Sequence, residues 1–143
     1  MEDLLAQLTP LLDSQAARPG WLLAYSGGLD STVALHLLWR YRQRQSSAPP
    51  LQAIYIDHGL SPAAADWGRH CQRQCEALGV AFVQRSVDPG ADAGDGLEAA
   101  ARQARYRALQ GFQQQGELLF TAHHADDQVE TLFLRLMRAS GLS

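Results

Sequence analysis

The sequence predicts an α/β protein built on an open, twisted, parallel sheet with helices on both faces, of which the last strand could be missing. Short apolar runs of strand length alternate with amphipathic segments of helix length, and this alternation is typical of parallel sheets with right-handed crossovers. Segments of unusual composition follow three of the predicted strands, at residues 26–31, 57–60 and 123–131. Ligands bind at the carboxyl ends of the strands in such sheets. The sequence therefore predicts a binding site where these three segments meet.

The boundaries of the predicted elements coincide with residues that end helices or form turns. Arg18-Pro19-Gly20 follows a leucine-rich helix, residues 46–50 are serine, alanine and proline, and Gly79 and Gly116 each precede a strand. Residues 86–96 are rich in Asp, Gly and Ala and predict a flexible loop. The predicted elements, in chain order, are helix 2–16, strand 21–25, helix 29–44, strand 51–57, helix 63–78, strand 80–85, helix 97–114, strand 117–122 and helix 125–138.

Composition and charge exclude several classes of function. The 143 residues fit one domain, and no run approaches the ~18 apolar residues of a membrane helix. The acidic start, Met1-Glu2-Asp3, is unlike a secretory signal, so we expect a cytoplasmic protein without membrane contact. All 12 basic residues are arginines, a bias that GC-rich genomes also produce. The lack of lysine excludes a Walker lysine or a Schiff base supplied by this chain. The net charge of −3 argues against strong nucleic-acid binding by this chain alone.

The cysteines and tryptophans are interpreted as packing residues. Cys71 and Cys75 are spaced i, i+4 in a predicted helix, which is a poor basis for a disulfide and favours core packing over redox or metal chemistry. Trp21, Trp39 and Trp67 are expected in or near the core rather than on a base-stacking platform. The helices before the first strand and after the second show nothing specific.

The segment Ser26-Gly27-Gly28-Leu29-Asp30-Ser31 predicts a phosphate site. Adjacent glycines let backbone N–H groups approach a ligand closely, and the helix that follows directs its free N–H groups and positive dipole end to the same point. The serine hydroxyls add donors. Asp30 would repel phosphate unless Mg²⁺ bridges the two; alternatively, Asp30 only stabilises the start of the helix.

A second acidic segment begins the last predicted helix. Asp126 and Glu130 are i, i+4, and Asp127 and Glu130 are i, i+3, so their carboxylates would share one helix face. A bound cation would relieve their repulsion. The alternative is that they only stabilise the helix N-terminus.

The six residues 26–31 resemble the SGGxDS pyrophosphate loop of the N-type ATP-pyrophosphatases, whose fold is Rossmann-like. The resemblance implies that the loop binds the β- and γ-phosphates of ATP, which leave as pyrophosphate after attack on the α-phosphate. It further implies Mg²⁺ as a cofactor.

Three further segments resemble one family, the tRNA(Ile)-lysidine synthases. Residues 123–141 are similar to its HHxDDQxETxLxRLxRGSG signature, residues 56–60 to its DHGL segment, and residues 98–106 to its ExxxRxxRY helix. The match spans residues 20–141, with the motifs in the right order. It implies ATP-dependent ligation of free lysine to C2 of the wobble cytidine in an isoleucine tRNA with a CAU anticodon, through an adenylated cytidine, with release of pyrophosphate and AMP.

The resemblance also implies roles for individual residues. Asp30 and Asp127 would bind Mg²⁺, with Glu130 in support. Arg102 and Arg105, which are i, i+3, would neutralise charge on the α-phosphate or AMP, or would instead belong to a surface helix of Glu–Arg pairs. His123 would contact substrate or pyrophosphate, or would be an ordinary loop residue. The phosphates of ATP would be bound by the loop residues Ser26, Gly27, Gly28, Leu29, Asp30 and Ser31.

The sequence departs from this family at two positions and in length. Gly96-Leu97 stands where the family often has Asn, and Ala139 where it usually has Gly. We expect residues 1–143 to be an incomplete catalytic domain, inactive in isolation, with most tRNA contacts in regions that this sequence lacks. The alternatives are another tRNA-modifying enzyme with the same loop, such as a 2-thiolation enzyme, and a nucleotide-binding module without turnover.

Overall fold

The computed structural model describes residues 2–57, 63–88, 96–126 and 129–137, with the backbone alone at residues 97, 98, 123–126 and 129–137. Four helices and five strands occur within these ranges. In chain order they are α1 Glu2–Ser14, β1 Trp21–Ala24, α2 Leu29–Arg44, β2 Leu51–Asp57, α3 Ala64–Leu78, β3 Ala81–Ser86, α4 Leu97–Phe112, β4 Leu118–Asp126 and β5 Val129–Met137.

The strands form one sheet in the order β3-β2-β1-β4-β5. The pairs β1–β2, β1–β4 and β2–β3 are parallel, with Trp21 level with Leu51 on one side and with Leu118 on the other. The prediction of a parallel α/β sheet is therefore confirmed for the first four strands, whose predicted boundaries agree with the structure to within a few residues.

The prediction of a helix over residues 125–138 is wrong. Residues 129–137 form β5, which pairs antiparallel with β4. This segment alternates Leu132, Leu134 and Leu136 with intervening side chains, so its pattern fits a strand as well as a helix, and short apolar runs are ambiguous in this way. Pairing with β5 satisfies the backbone groups along an edge of β4 that would otherwise be open.

Two apolar clusters cover the two faces of the sheet. The larger contains core residues of α1, α2 and α3, packed on β1 around Trp21, whose ring contacts Tyr41 and Phe120 at 5.5 and 5.3 Å between centroids. The smaller places Leu109 of α4 against the other face. Helices lie on both faces, as predicted, because the chain leaves β1 in one direction along the sheet through α2 and α3 and returns across it through α4.

This topology fixes the location of the site. β1 lies between β2 and β4, so strand order reverses beside β1, and binding crevices form at such reversals. The loop after β1 therefore opens into a crevice between α3 on one face and α4 on the other. Within the described ranges, none of the helices combines the length and apolar character needed to cross a bilayer.

Candidate functional site

The loop after β1 has the shape of an anion cradle. Gly27 has φ of 80°, and Gly28 is extended with φ −75° and ψ 178° before α2 begins at Leu29. The Leu29 side chain is 75% exposed. Asp30 is partly exposed in the first turn of α2. The free N–H groups of that turn and the positive end of the helix dipole face the loop.

Two serine hydroxyls join the ends of the loop. Ser26 Oγ and Ser31 Oγ are 2.9 Å apart, and the Ser26 amide donates to Ser31 Oγ at 3.1 Å. The Gly28 amide donates to Ser26 Oγ at 3.3 Å. These hydrogen bonds hold the amide and hydroxyl groups of the loop close together. When an anion enters the loop, its oxygens can replace the serine oxygens as the acceptors of these N–H and O–H groups.

Glycine is required at position 27 for two reasons. Its φ of 80° is a conformation that other residues rarely adopt. In addition, a Cβ atom built there would lie 2.7 Å from Cys71 Sγ and 3.0 Å from two ring atoms of Trp67. The backbone of the loop therefore packs directly against side chains of α3.

A cleft of about 230 Å³ adjoins the loop. It lies over the carboxyl ends of β1 and β2 and brings together an aromatic ring from α3 and a guanidinium from α4, on opposite faces of the sheet. Its lining consists of Tyr25, Ser26, Ile54, Tyr55, Ile56, Trp67 and Arg105. Apolar walls with a few polar groups are typical of sites that bind small molecules.

Arg105 and Arg102 differ in exposure, although the sequence analysis assigns the same role to both. Arg105 is partly buried in the cleft, whereas Arg102 is exposed one turn away. Burial lowers the pKa of Arg105, Tyr106 acts against this shift, and the neighbouring charge of Arg102 adds to it. An arginine remains charged at neutral pH despite such a shift, so the cleft contains a poorly solvated positive charge beside the loop. Glu98, the expected partner of Arg102, has no described side chain.

The two cysteines are core residues, which confirms their interpretation. Cys71 and Cys75 are buried and unpaired. Burial raises the pKa of Cys71 to about 11 and that of Cys75 to about 12, so both stay protonated near neutral pH. Protonated, buried thiols are poor nucleophiles and metal ligands.

The expectation that Trp67 packs in or near the core is wrong. Trp21 and Trp39 pack in or against the core, but Trp67 is 41% exposed and lines the cleft. Its indole nitrogen donates to the Ser26 carbonyl at 2.6 Å. A signal for this was available: Trp67 lies in the first turn of a helix that follows a strand, and such turns lie at the binding edge of the sheet.

The acidic residues predicted to bind Mg²⁺ are described only in part. Asp127 lies outside the described residues, as do residues 58–60, and Glu130 is described as backbone within β5. Since Asp126 ends β4 and Glu130 lies in β5, these two residues do not share the helix face that was expected for them. In the part of the chain that the structure describes, no three His, Cys, Asp or Glu side chains form a group suited to a metal ion. The magnesium site remains a prediction.

His123 lies in β4, at the same edge as the loop. β1 and β4 pair with Leu23 level with Phe120. β4 continues beyond this pairing to Asp126, so residue 123 belongs to a strand and not to the approach to a helix, and the role of His123 stays a prediction.

Gly96, one of the departures from the resembled family, has a conformational role. It precedes α4 with φ of 106°, and its carbonyl accepts the Ala100 amide at 3.0 Å. A residue with a side chain would be strained at this φ. Glycine therefore sets the entry of the chain into the helix that carries Arg105.

Comparison with known proteins finds relatives that share one name. A curated tRNA(Ile)-lysidine synthase from Alkalilimnicola ehrlichii is 54% identical over 122 residues, which are 85% of this chain and 27% of that protein. Proteins of the same name from Haemophilus influenzae and Pseudomonas putida are 47% and 49% identical, over 98% and 94% of the chain and 32% and 30% of their own lengths. The chain thus spans less than a third of these relatives.

The family comparison covers almost the whole sequence. The model of the PP-loop domain matches residues 2–143, which include the loop at 26–31, the cleft and all the strands described above. The chain belongs to the PP-loop domain family.

Proposed function

We propose that the protein containing this chain ligates lysine to C2 of the wobble cytidine in an isoleucine tRNA with a CAU anticodon, at the expense of ATP. The observation that carries the proposal is the Ser26–Ser31 loop, whose amides and hydroxyls converge beside a cleft containing Arg105. The names of the relatives supply the tRNA and the product. Because the chain spans less than a third of those relatives, the activity is proposed for the intact protein.

The loop would bind the β- and γ-phosphates of ATP. Amides of residues 27–29 and the hydroxyls of Ser26 and Ser31 are donors at the N-terminus of α2, where the helix dipole favours negative charge. Ser26 and Ser31 now bond each other at 2.9 Å, and rotation of either hydroxyl would turn its proton to a phosphate oxygen. Pyrophosphate bound in this way is a better leaving group because its developing charge is stabilised.

The cleft would hold the remainder of the nucleotide. Its aromatic and aliphatic walls suit an adenine and ribose, and Ser26 links it directly to the loop. Arg105 lies in this cleft rather than in bulk water, so its charge acts on the α-phosphate with less dielectric screening. The planar guanidinium can donate two parallel hydrogen bonds to a phosphate. Arg102, exposed and one turn away, would assist at longer range.

We propose Mg²⁺ as the metal at this edge of the sheet. Asp30 supplies a hard carboxylate oxygen in the first turn of α2, beside the proposed phosphate site. We propose that Asp127 and Glu130 complete the protein's share of the ligands and that His123 contacts substrate or pyrophosphate. When bound, the ion would neutralise phosphate charge during transfer.

The proposed reaction has two steps. The C2 oxygen of the cytidine attacks the α-phosphorus, the bond from that phosphorus to the bridging oxygen breaks, and pyrophosphate leaves from the loop. The amine of free lysine then attacks C2 and loses a proton. The bond between C2 and its oxygen breaks, and AMP leaves with that oxygen on its phosphate. Arg105 would stabilise the α-phosphate in both steps, because the same group is attacked first and departs later.

The remaining partners are also proposals. Free lysine and the tRNA would meet the adenylate at the open side of the cleft, and most tRNA contacts would come from outside residues 1–143. This division is consistent with the net charge of −3, since tRNA binding depends on positive surface. We propose a cytoplasmic location, where tRNA, ATP and lysine are available.

The test is a substrate-dependence assay on the intact protein. The intact protein is mixed with ATP, Mg²⁺ and an unmodified isoleucine tRNA transcript with a CAU anticodon. Pyrophosphate, AMP and tRNA-bound lysine are then measured. We expect pyrophosphate release to require the tRNA, and AMP release to require lysine as well. The matched control is the same transcript with uridine in place of the wobble cytidine, which should give neither product. Equal AMP release without lysine, or from the control transcript, would refute the proposal.

The two alternatives make different predictions in the same assay. A 2-thiolation enzyme would release AMP with a sulfur donor instead of lysine; the burial and raised pKa of Cys71 and Cys75 argue against their taking part in sulfur transfer. A nucleotide-binding module would bind ATP without any pyrophosphate release. We expect residues 1–143 alone to behave in this second way.

A further inference from the structure

We propose that Trp67 is a positioning residue, which fixes the phosphate-binding form of the loop through its indole N–H. This inference deepens the proposed function, because it rests on the loop at residues 26–31 binding the polyphosphate of ATP. It concerns a residue of α3, outside the loop and outside the segments of the chain that the motifs cover.

Trp67 contacts the loop in two ways. Its Nε1–H donates to the Ser26 carbonyl at 2.6 Å. Its ring lies so close to the Gly27 α-carbon that a Cβ atom there would be 3.0 Å from Cε2 and Cζ2. One side chain thus holds the peptide between Ser26 and Gly27 by a hydrogen bond and by contact.

Trp67 is itself held in place. Its ring stacks on that of His70, with 4.6 Å between centroids and 24° between planes. Its backbone amide donates to the Ala63 carbonyl at 2.9 Å at the start of α3. Since the ring is 41% exposed, burial alone does not explain its position, and the bond to Ser26 is its specific link to the loop.

The geometry of the peptide bond connects this contact with the direction of the Gly27 N–H group. The peptide between Ser26 and Gly27 is trans, and in a trans peptide the carbonyl and the N–H point in opposite directions. Holding the Ser26 carbonyl towards Trp67 therefore directs the Gly27 N–H away from Trp67. Glycine allows this peptide to rotate. Rotation would put the carbonyl oxygen, which repels anions, in the direction in which the N–H donor now points.

The experiment measures the affinity of the intact protein for inorganic pyrophosphate and for ATP, each with Mg²⁺, by titration calorimetry. Trp67→Phe keeps an aromatic ring and removes the N–H donor. We expect its Kd for pyrophosphate to rise about 2- to 10-fold, the effect of one hydrogen bond. The matched control is Trp39→Phe on α2, a partly buried residue packed on the core, which should bind as the wild type does.

The outcomes separate this inference from the proposed function. A wild-type protein that binds neither pyrophosphate nor ATP would overturn both. A wild type that binds both, with Trp67→Phe equal to it, would overturn the role of Trp67 and leave the proposed function standing.

A second measurement does not use Trp67→Phe and so does not depend on how that variant folds. Trp21 is fully buried while Trp67 is exposed next to the loop, so pyrophosphate should change the tryptophan emission and its quenching by acrylamide. We expect this change in the wild type and in Trp39→Phe. Emission that stays constant while calorimetry reports binding would contradict contact between Trp67 and the occupied loop.

Discussion

Replacing Gly27 by alanine should destabilise the domain by two separable effects. The first is conformational: φ at this position is 80°, and a left-handed conformation costs a residue with a side chain about 1–2 kcal/mol. The second is steric, because the new Cβ atom would lie 2.7 Å from Cys71 Sγ and 3.0 Å from ring atoms of Trp67. Cys71 is fully buried on α3 and has little room to move.

The steric effect adds to the conformational one. Insertion of a methyl group into a well-packed site costs about 1–3 kcal/mol, so Gly27→Ala should lower the free energy of unfolding by about 2–5 kcal/mol in total. This is a large part of the roughly 5–15 kcal/mol that stabilises a typical domain. Pyrophosphate binding should weaken as well, because the loop must shift to admit the methyl group.

The matched control is Gly79→Ala. Gly79 has nearly the same φ, 71°, but a Cβ atom there would meet nothing within 4 Å. It should therefore show the conformational cost of about 1–2 kcal/mol alone. Urea unfolding of both variants, followed by circular dichroism, gives the comparison. If Gly27→Ala were no less stable than Gly79→Ala, the close packing of the loop against α3 would be refuted.

Two further predictions concern charge and titration. Arg105→Gln should lower kcat/KM for ATP–pyrophosphate exchange about 10- to 100-fold, the effect of one charge-assisted hydrogen bond, while Arg107→Gln, on the exposed side of α4, should leave exchange unchanged; equal losses in both would indicate a general effect of helix charge. Cys71 and Cys75 have folded-state pKa values raised to about 11 and 12 from 9.0, so the thiols are favoured in the folded state and their contribution to stability should fall as pH rises above about 9. The free energy of unfolding should decrease as pH rises from 9 to 10, and Tyr25, Tyr41 and Tyr55, whose pKa is also raised by burial from the ordinary 10.0, should add to the decrease. A thiol reagent at pH 8 should label neither cysteine until urea unfolds the domain; rapid labelling of the native protein would contradict their burial.

Local sequence patterns determined most of the architecture. Apolar runs bounded by Gly and Pro gave β1 to β4 and α1 to α4 within a few residues, because each of these elements is specified by its own periodicity and stop residues. The loop at residues 26–31 was also evident locally, since two glycines between a buried strand and a helix have few other uses. The lack of lysine excluded a Walker lysine or a Schiff base formed by these 143 residues.

Tertiary structure decided the features that depend on neighbours. Residues 129–137 have a pattern compatible with either helix or strand, and pairing with the edge of β4 selects the strand. Arg102 and Arg105 are equivalent on a helix diagram, yet only Arg105 lines the cleft, because the orientation of α4 on the sheet buries one and exposes the other. Trp67 is 41 residues from Ser26 along the chain, and their hydrogen bond exists only because α3 packs over the loop. Periodicity fixes which residues share an element; distances between elements follow from the packing of the sheet and its helices, which no local pattern contains.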